Sequence, residues 1–194
     1  MKVLVLYANP VESSFGGAIH AAVVAALGQR GHEVDDCDLY AERFDPILAR
    51  EDRLVYDHAP QNRRNVACYV DRLLAAQGLI AISPVWNLGF PAMLKGYFDR
   101  VFLPGVTFEI EPDGSVATKL HNVQRLAAVC TYGASRLQCA LLGDAPRHFI
   151  KRSVKAVCKP GAACDYLALY DLNTSTDADR SGFLKRVSKH FAAW

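Results

Sequence analysis

One stretch concentrates residues able to hold a flat ligand. It runs Ser83-Pro84-Val85-Trp86-Asn87-Leu88-Gly89-Phe90 and continues into Pro91-Ala92-Met93-Leu94-Lys95-Gly96-Tyr97-Phe98-Asp99-Arg100-Val101-Phe102. An aromatic face beside free backbone N–H groups suits a planar, hydrogen-bonding ring better than a metal or a bare phosphate. The plain alternative is a strand–loop–helix connection whose Trp86 packs on a neighbour. A second group, Asn9-Pro10-Val11-Glu12-Ser13-Ser14-Phe15-Gly16-Gly17, sets hydroxyls and glycines at the start of a helical pattern. Unpaired N–H groups and the helix dipole favour an anion there, whereas a capped helix without ligand is the other reading. Glu12 would have to point away from such an anion. Neither G-x-G-x-x-G nor G-x-x-x-x-G-K-[ST] is present, which argues against a dinucleotide-binding Rossmann loop and an NTPase loop. The third group is Thr131-Tyr132-Gly133-Ala134-Ser135-Arg136.

The rest of the composition asks for no other chemistry. Six cysteines (Cys37, Cys68, Cys130, Cys139, Cys158, Cys164) form no C-x-x-C pair, and the six histidines do not cluster. That pattern reads as reduced, mostly buried thiols of a cytoplasmic protein, without a metal site. A formal net charge of +2 with interspersed signs speaks against a nucleic-acid partner. No apolar run approaches the ~20 residues that span a bilayer, and the N-terminus reads as a first strand rather than an export signal.

These three groups need elements to hold them, and the apolar pattern supplies an alternation of strand and helix. Val3–Tyr7 is a continuous apolar run, fit for a strand covered on both faces. Phe15 to Leu27 repeats at helical spacing, with Ser13 or Ser14 as N-cap and Gly31 just past the end. Glu33–Leu39 is a more polar strand, and residues 40–64 read as a long loop with a helical turn or two. Residues 66–77 form a helix, Leu79–Ile82 a strand, and Pro91–Phe102 a helix with proline in its first turn. Glu111-Pro112-Asp113-Gly114 is a turn. Leu126–Cys130, a helix over 145–158, a strand over 166–170 and an amphipathic helix over 177–192 complete one doubly wound α/β domain, residues 1–194. In such a sheet the three chemical groups converge at the carboxyl edge, near the topological switch point.

With those residues in view, the chain resembles the NAD(P)H:quinone oxidoreductase (DT-diaphorase-like) family of flavodoxin-fold flavoproteins. The resemblance rests on Pro84–Phe102, on Asn9-Pro10 with Ser13-Ser14-Phe15, on Asp38-Leu39-Tyr40-Ala41 with Phe44-Asp45-Pro46, and on the Thr131-x-Gly133 turn. It implies a sheet of five parallel strands in the order 2-1-3-4-5. It also implies that Asn9, Ser14, Phe15 and Gly16 hold a flavin phosphate. Pro84, Val85, Trp86, Asn87 and Leu88 would line the ring, and Thr131, Tyr132 and Gly133 its other edge. FMN is the expected flavin, with FAD an open alternative, and NAD(P)H is the hydride donor. A second subunit would complete the pocket of a homodimer.

The same resemblance implies a two-step cycle. NAD(P)H reduces the flavin and leaves; a quinone, nitroaromatic or azo compound then takes its place, between walls drawn from Trp86, Phe108 and Tyr132. The family often has His at position 9 and Asn at position 16, and its well-studied members carry a Tyr and a His after the Thr-x-Gly turn. This chain has neither between Gly133 and Asp144. Tyr132 and Arg136 are therefore the expected catalytic groups, Arg136 as a cation favouring the anionic reduced cofactor or, alternatively, as a surface arginine. Lys95 and Arg100 read as packing and solvated faces. A different function within the resemblance is an ancillary protein that binds a potassium-efflux transporter. A one-electron shuttle fits poorly, since such proteins are usually strongly acidic.

Overall fold

The computed structural model describes residues 1–194. Strand β1 (Lys2–Tyr7), helix α1 (Phe15–Gln29) and strand β2 (Glu33–Asp38) open the chain. Helices α2 (Arg50–Leu54) and α3 (Ala67–Ala75) lead to β3 (Gly78–Val85) and α4 (Ala92–Val101). A hairpin of β4 (Phe108–Ile110) and β5 (Val116–Thr118) precedes β6 (Arg125–Tyr132) and α5 (Arg136–Leu141). Helical residues then run from α6 (Ala145–His148) through π-helical turns (Phe149–Val154) to α7 (Lys155–Val157). Strand β7 (Ala163–Leu169) and helix α8 (Asp177–Phe191) finish it.

Five parallel strands form the main sheet in the order β2-β1-β3-β6-β7, which is 2-1-3-4-5 once the separate hairpin is set aside. Two-residue alternation divides the core. Val3, Val5 and Tyr7 pack with Ile80, Ile82 and Val129 beneath α1 and α8. Leu4 and Leu6 face the opposite way, with Leu79, Ala128, Cys130 and Tyr132, against Val70, Leu73, Leu94 and Tyr97 of α3 and α4. Four of the cysteines, Cys37, Cys130, Cys139 and Cys158, are buried. No helix is long and apolar enough to cross a membrane.

Several boundaries differ from the sequence expectation, each for a local reason. β3 continues through Pro84 and Val85 because these pair in register with Thr131 and Tyr132, which in turn extend β6. Pro91 stands at the N-cap of α4, φ −53° and ψ 147°, rather than inside the helix. Helix α5 was not expected at all, although Ser135 and Gln138 form a complete capping box at its start. The turn at residues 111–114 holds as expected and joins β4 to β5.

The long segment 40–64 is tied down by α4. A Cβ on Gly96 would fall on the backbone of Pro46, so the helix and this segment meet at a distance only glycine permits. One turn on, Arg100 is 6% exposed, donates to the Asp45 carbonyl and pairs with Asp52 at 3.1 Å. Asn65 donates to the other Asp52 oxygen at 2.6 Å. Arg100 is thus a buried anchor and not a solvated face, whereas Lys95 pairs with Asp99 on the exposed side.

Candidate functional site

Loops after β1, β3 and β6 leave three neighbouring strands at their carboxyl ends. The chain winds one way from β1 to β2 and the other way from β3 to β6 and β7, so the switch point lies between β1 and β3.

The first loop is a preformed cradle. Ser14 caps α1 from extended backbone, accepting from Gly17 N–H at 3.2 Å. Asn9 Nδ2 also donates to Ser14 Oγ, at 3.0 Å, while Asn9 Oδ1 accepts from Val11 N–H. With both its lone pairs engaged, the Ser14 hydroxyl has its own hydrogen left to donate. The N–H groups of Phe15 and Gly16 have no partner within the chain. A Cβ on Gly16 would stand 2.6 Å from Asn9 Nδ2, so glycine keeps this mouth open.

Beneath the cradle lies a residue that sequence reasoning missed. Tyr7 is 2% exposed, and its hydroxyl lies beside the Ser14 side chain without a well-formed hydrogen bond. The ring stacks on His20 at 4.3 Å, and the hydroxyl ends by α1, 3.5 Å from where a Cβ of Gly17 would be. An orphaned buried donor costs about 1–3 kcal/mol unless something accepts from it. Together with the two free N–H groups and the Ser14 hydroxyl, it fits a phosphate. A polar residue closing the aliphatic run Val3-Leu4-Val5-Leu6-Tyr7 was the available signal. Tyr7→Phe should leave the stability of the ligand-free protein unchanged or slightly higher and weaken FMN binding by about 5- to 30-fold, a loss of roughly 1–2 kcal/mol. Fluorescence titration and thermal melts with and without FMN would check both halves.

The second loop is a two-residue reversal. Trp86 N–H donates to the Gly89 carbonyl at 3.0 Å and Gly89 N–H returns the bond to Trp86 at 2.9 Å. Between them Asn87 and Leu88 both take positive φ, 49° and 60°. Non-glycine residues rarely hold that conformation, and such strain concentrates at ligand sites. The expected row of free N–H groups is therefore narrowed. Trp86 spends its own inside the turn, Pro84 has none and Val85 belongs to the strand, which leaves Asn87 and Leu88 unpartnered. The Trp86 side chain is 46% exposed and supplies the aromatic face.

In the third loop the structure corrects the role expected of Tyr132. Strand alternation sends its side chain to the same side as Ala128 and Cys130, into the core, at 1% exposure. Its hydroxyl donates to Asp144 at 2.8 Å and meets Tyr166 Oη at 2.5 Å. Burial, then the neighbouring Cys130, pushes this phenol far above its ordinary range, so it remains protonated. The ring is not a ligand wall, and what position 132 offers the site is backbone. Phe108 lines an apolar cavity with Phe98, Phe102, Phe149 and Val157, and two of these, Phe98 and Phe149, also pack on Phe90 at the end of the second loop. Gly133 is approached by a fourth loop, unforeseen from sequence, whose Asn173 Nδ2 would be 3.0 Å from a Cβ there. Arg136, the first residue of α5, lines an open cavity with Asp144, Arg147 and Tyr170.

The same architecture recurs in known proteins. The family described as having a flavodoxin-like fold matches residues 1–159. NAD(P)H dehydrogenase [quinone] 1 of Cavia porcellus is 33% identical over 123 residues, 55% of this chain and 45% of that protein. The FMN-dependent NADH:quinone oxidoreductase of Coprothermobacter proteolyticus is 28% identical over 138 residues, covering 68% of each. Among solved structures, Smu.1420 of Streptococcus mutans UA159 superposes with a TM-score of 0.83 at 26% identity over the whole of both chains. The first curated relatives are matched over about half their own length, 45% to 57%.

Proposed function

This chain belongs to the flavodoxin-like family, and from that premise we propose that it is an FMN-dependent NAD(P)H dehydrogenase of the quinone-reductase type. The observation that carries the reading is the cradle at the switch point, where the Ser14 hydroxyl, two free N–H groups and the orphaned Tyr7 hydroxyl fit a phosphate. Bound FMN would supply two-electron hydride exchange between NAD(P)H and a flat acceptor such as a quinone, nitroaromatic or azo compound.

The chain's own residues do the rest. Asn9, Ser14, Phe15 and Gly16 hold the phosphate, and Gly17 positions Ser14. Asn87 and Leu88 turn their N–H groups toward the ring's polar edge, with Pro84 and Val85 as the rigid strand behind them. Trp86 gives an apolar face against which donor and acceptor stack in turn. Thr131, Tyr132 and Gly133 border the ring through backbone, and Arg136 supplies a cation at the rim that favours negative charge on the ring.

A homodimer is part of the proposal. Helix α5 presents Leu137, Leu141 and the following Leu142 at 70%, 78% and 66% exposure, an apolar group that a second copy could cover. A cytoplasmic enzyme is the matching location. An ancillary role on a potassium-efflux transporter has no structural observation in its favour.

The test is a visible spectrum of the purified protein, followed by anaerobic addition of NADPH and then a quinone. A flavin band that bleaches and returns supports the reading; a protein that stays colourless and takes up neither FMN nor FAD overturns it. Trp86→Ala should keep the melting temperature and lower flavin or acceptor affinity about tenfold, on the scale of one stacking contact.

A further inference from the structure

Beyond the β6 loop lies a cavity of about 290 Å³, lined by Arg136, Ala140, Asp144, Arg147, His148 and Tyr170, of which the cofactor reading uses Arg136 alone. Its charges do not balance. None of Arg136, Arg147 and His148 takes part in an ion pair anywhere in the protein. The one carboxylate in the wall, Asp144, is already engaged. It accepts from Tyr132 Oη at 2.8 Å and from Tyr170 Oη at 3.2 Å. Although Asp144 precedes α6, it caps nothing, and it holds a left-handed backbone at φ 37°. Its carboxylate keeps its charge and forms no ion pair with either arginine, so the wall carries two guanidiniums against one carboxylate. The guanidinium of Arg147 lies over the Tyr166 ring, 5.4 Å from its centroid.

Two guanidiniums that form no ion pair and an imidazole around one concavity outweigh its single carboxylate and suit an anion. Planar forks of N–H donors match phosphate oxygens in pairs, which a single lysine would not do. The cavity adjoins the ring loop but lies outside it: Arg136 follows Gly133 by three residues and opens the next helix.

We propose that this cavity is a phosphate-monoester subsite that takes the 2′-phosphate of NADPH, making the protein selective for NADPH over NADH. The assignment rests on the dehydrogenase reading above. An acidic substituent on the electron acceptor has the same chemistry and is the other source of such an anion.

The experiment uses the FMN-loaded protein and two probes differing only in the 2′-phosphate, adenosine 2′,5′-bisphosphate and 5′-AMP. Calorimetry should show the bisphosphate binding at least about tenfold tighter, the scale of one charge-assisted hydrogen bond. Arg147→Gln should erase that difference and lower the NADPH-to-NADH ratio of kcat/KM by a similar factor. His148→Gln, at an exposed position, provides a second and milder variant should the first fail to fold. Equal binding of the two probes overturns the proposal, as does a variant that loses both coenzymes equally. Selective loss of affinity for a carboxylated or sulfonated acceptor, with the coenzyme ratio intact, overturns the donor assignment. Selective binding of the bisphosphate by a protein that oxidises neither coenzyme would uphold the subsite and sink the dehydrogenase reading. The two failures are therefore separable.

Discussion

Ser14→Asp should leave the protein folded and strip it of affinity for FMN while riboflavin still binds. Aspartate caps a helix as well as serine does and favours the positive end of the dipole, so α1 loses nothing by the exchange. The carboxylate would accept from Gly17 N–H in place of the hydroxyl that now does so at 3.2 Å. A phosphate held over Phe15 and Gly16 would then face a second negative charge within a few ångströms. At an effective dielectric near 20, two unit charges ~4 Å apart repel by about 4 kcal/mol. FMN affinity should fall at least roughly 100-fold, and thermal stability without ligand should stay level or rise. Riboflavin has the same ring and no phosphate, so its weaker binding should not change. Fluorescence titrations with both flavins would separate the cradle from the ring loops. Equal losses for the two ligands would mean that position 14 acts through the fold alone.

Arg100→Met is the second change with a large expected effect, this time on stability. The guanidinium is buried, ion-paired with Asp52 at 3.1 Å and with Asp45 at 3.2 Å, and stacked over Phe44. Removing one partner of a buried pair leaves the other charge without compensation, at about 3–5 kcal/mol. In a chain of this size that should lower Tm by roughly 10 °C. Replacing Asp52 by leucine in the same chain should restore much of the loss, because a buried pair exchanged for apolar groups of similar volume is often neutral. Chemical denaturation of the two single variants and the double variant forms the cycle. Additive losses would show that Arg100 and Asp52 do not depend on each other. The segment 40–64 should be the first region to exchange its amide hydrogens in Arg100→Met, since Asp45 and Asp52 both lie in it.

The strands and the helices between them were legible because they follow from patterns that survive averaging, whereas the order of the sheet came with the family resemblance. Runs such as Val3–Tyr7 and Leu79–Ile82 specify strands buried on both faces, and the alternation with helical spacing leaves few topologies. Of the two serines that could cap α1 the structure uses Ser14, and Gly31 stands beyond the helix end as expected, at φ 80°.

What the sequence concealed depends on direction and partnership. Whether Tyr132 faces a ligand or the core is set by the register of β6 against β3, a one-residue matter invisible in composition. Tyr7 looked like the end of a strand because nothing in one dimension says that its hydroxyl is orphaned. The free N–H group assigned to Trp86 is spent in a reversal whose two central residues, Asn87 and Leu88, both hold left-handed backbone. Whether Arg100 serves packing or a solvated face stayed open in the sequence because its partners are 48 and 55 residues distant along the chain. Helix α5 was hidden by its length alone, six residues being too short for periodicity to speak.

The bonds joining Asn9, Ser14 and Gly17 are in place before any ligand arrives. A cradle already knotted has little segmental freedom left to surrender, so encounter and capture become one event. Loading would proceed as a single exponential whose rate climbs linearly with ligand concentration, without the plateau of a slow rearrangement. Differences in grip among variants of this loop would then appear in how long the ligand stays, and hardly in how fast it enters.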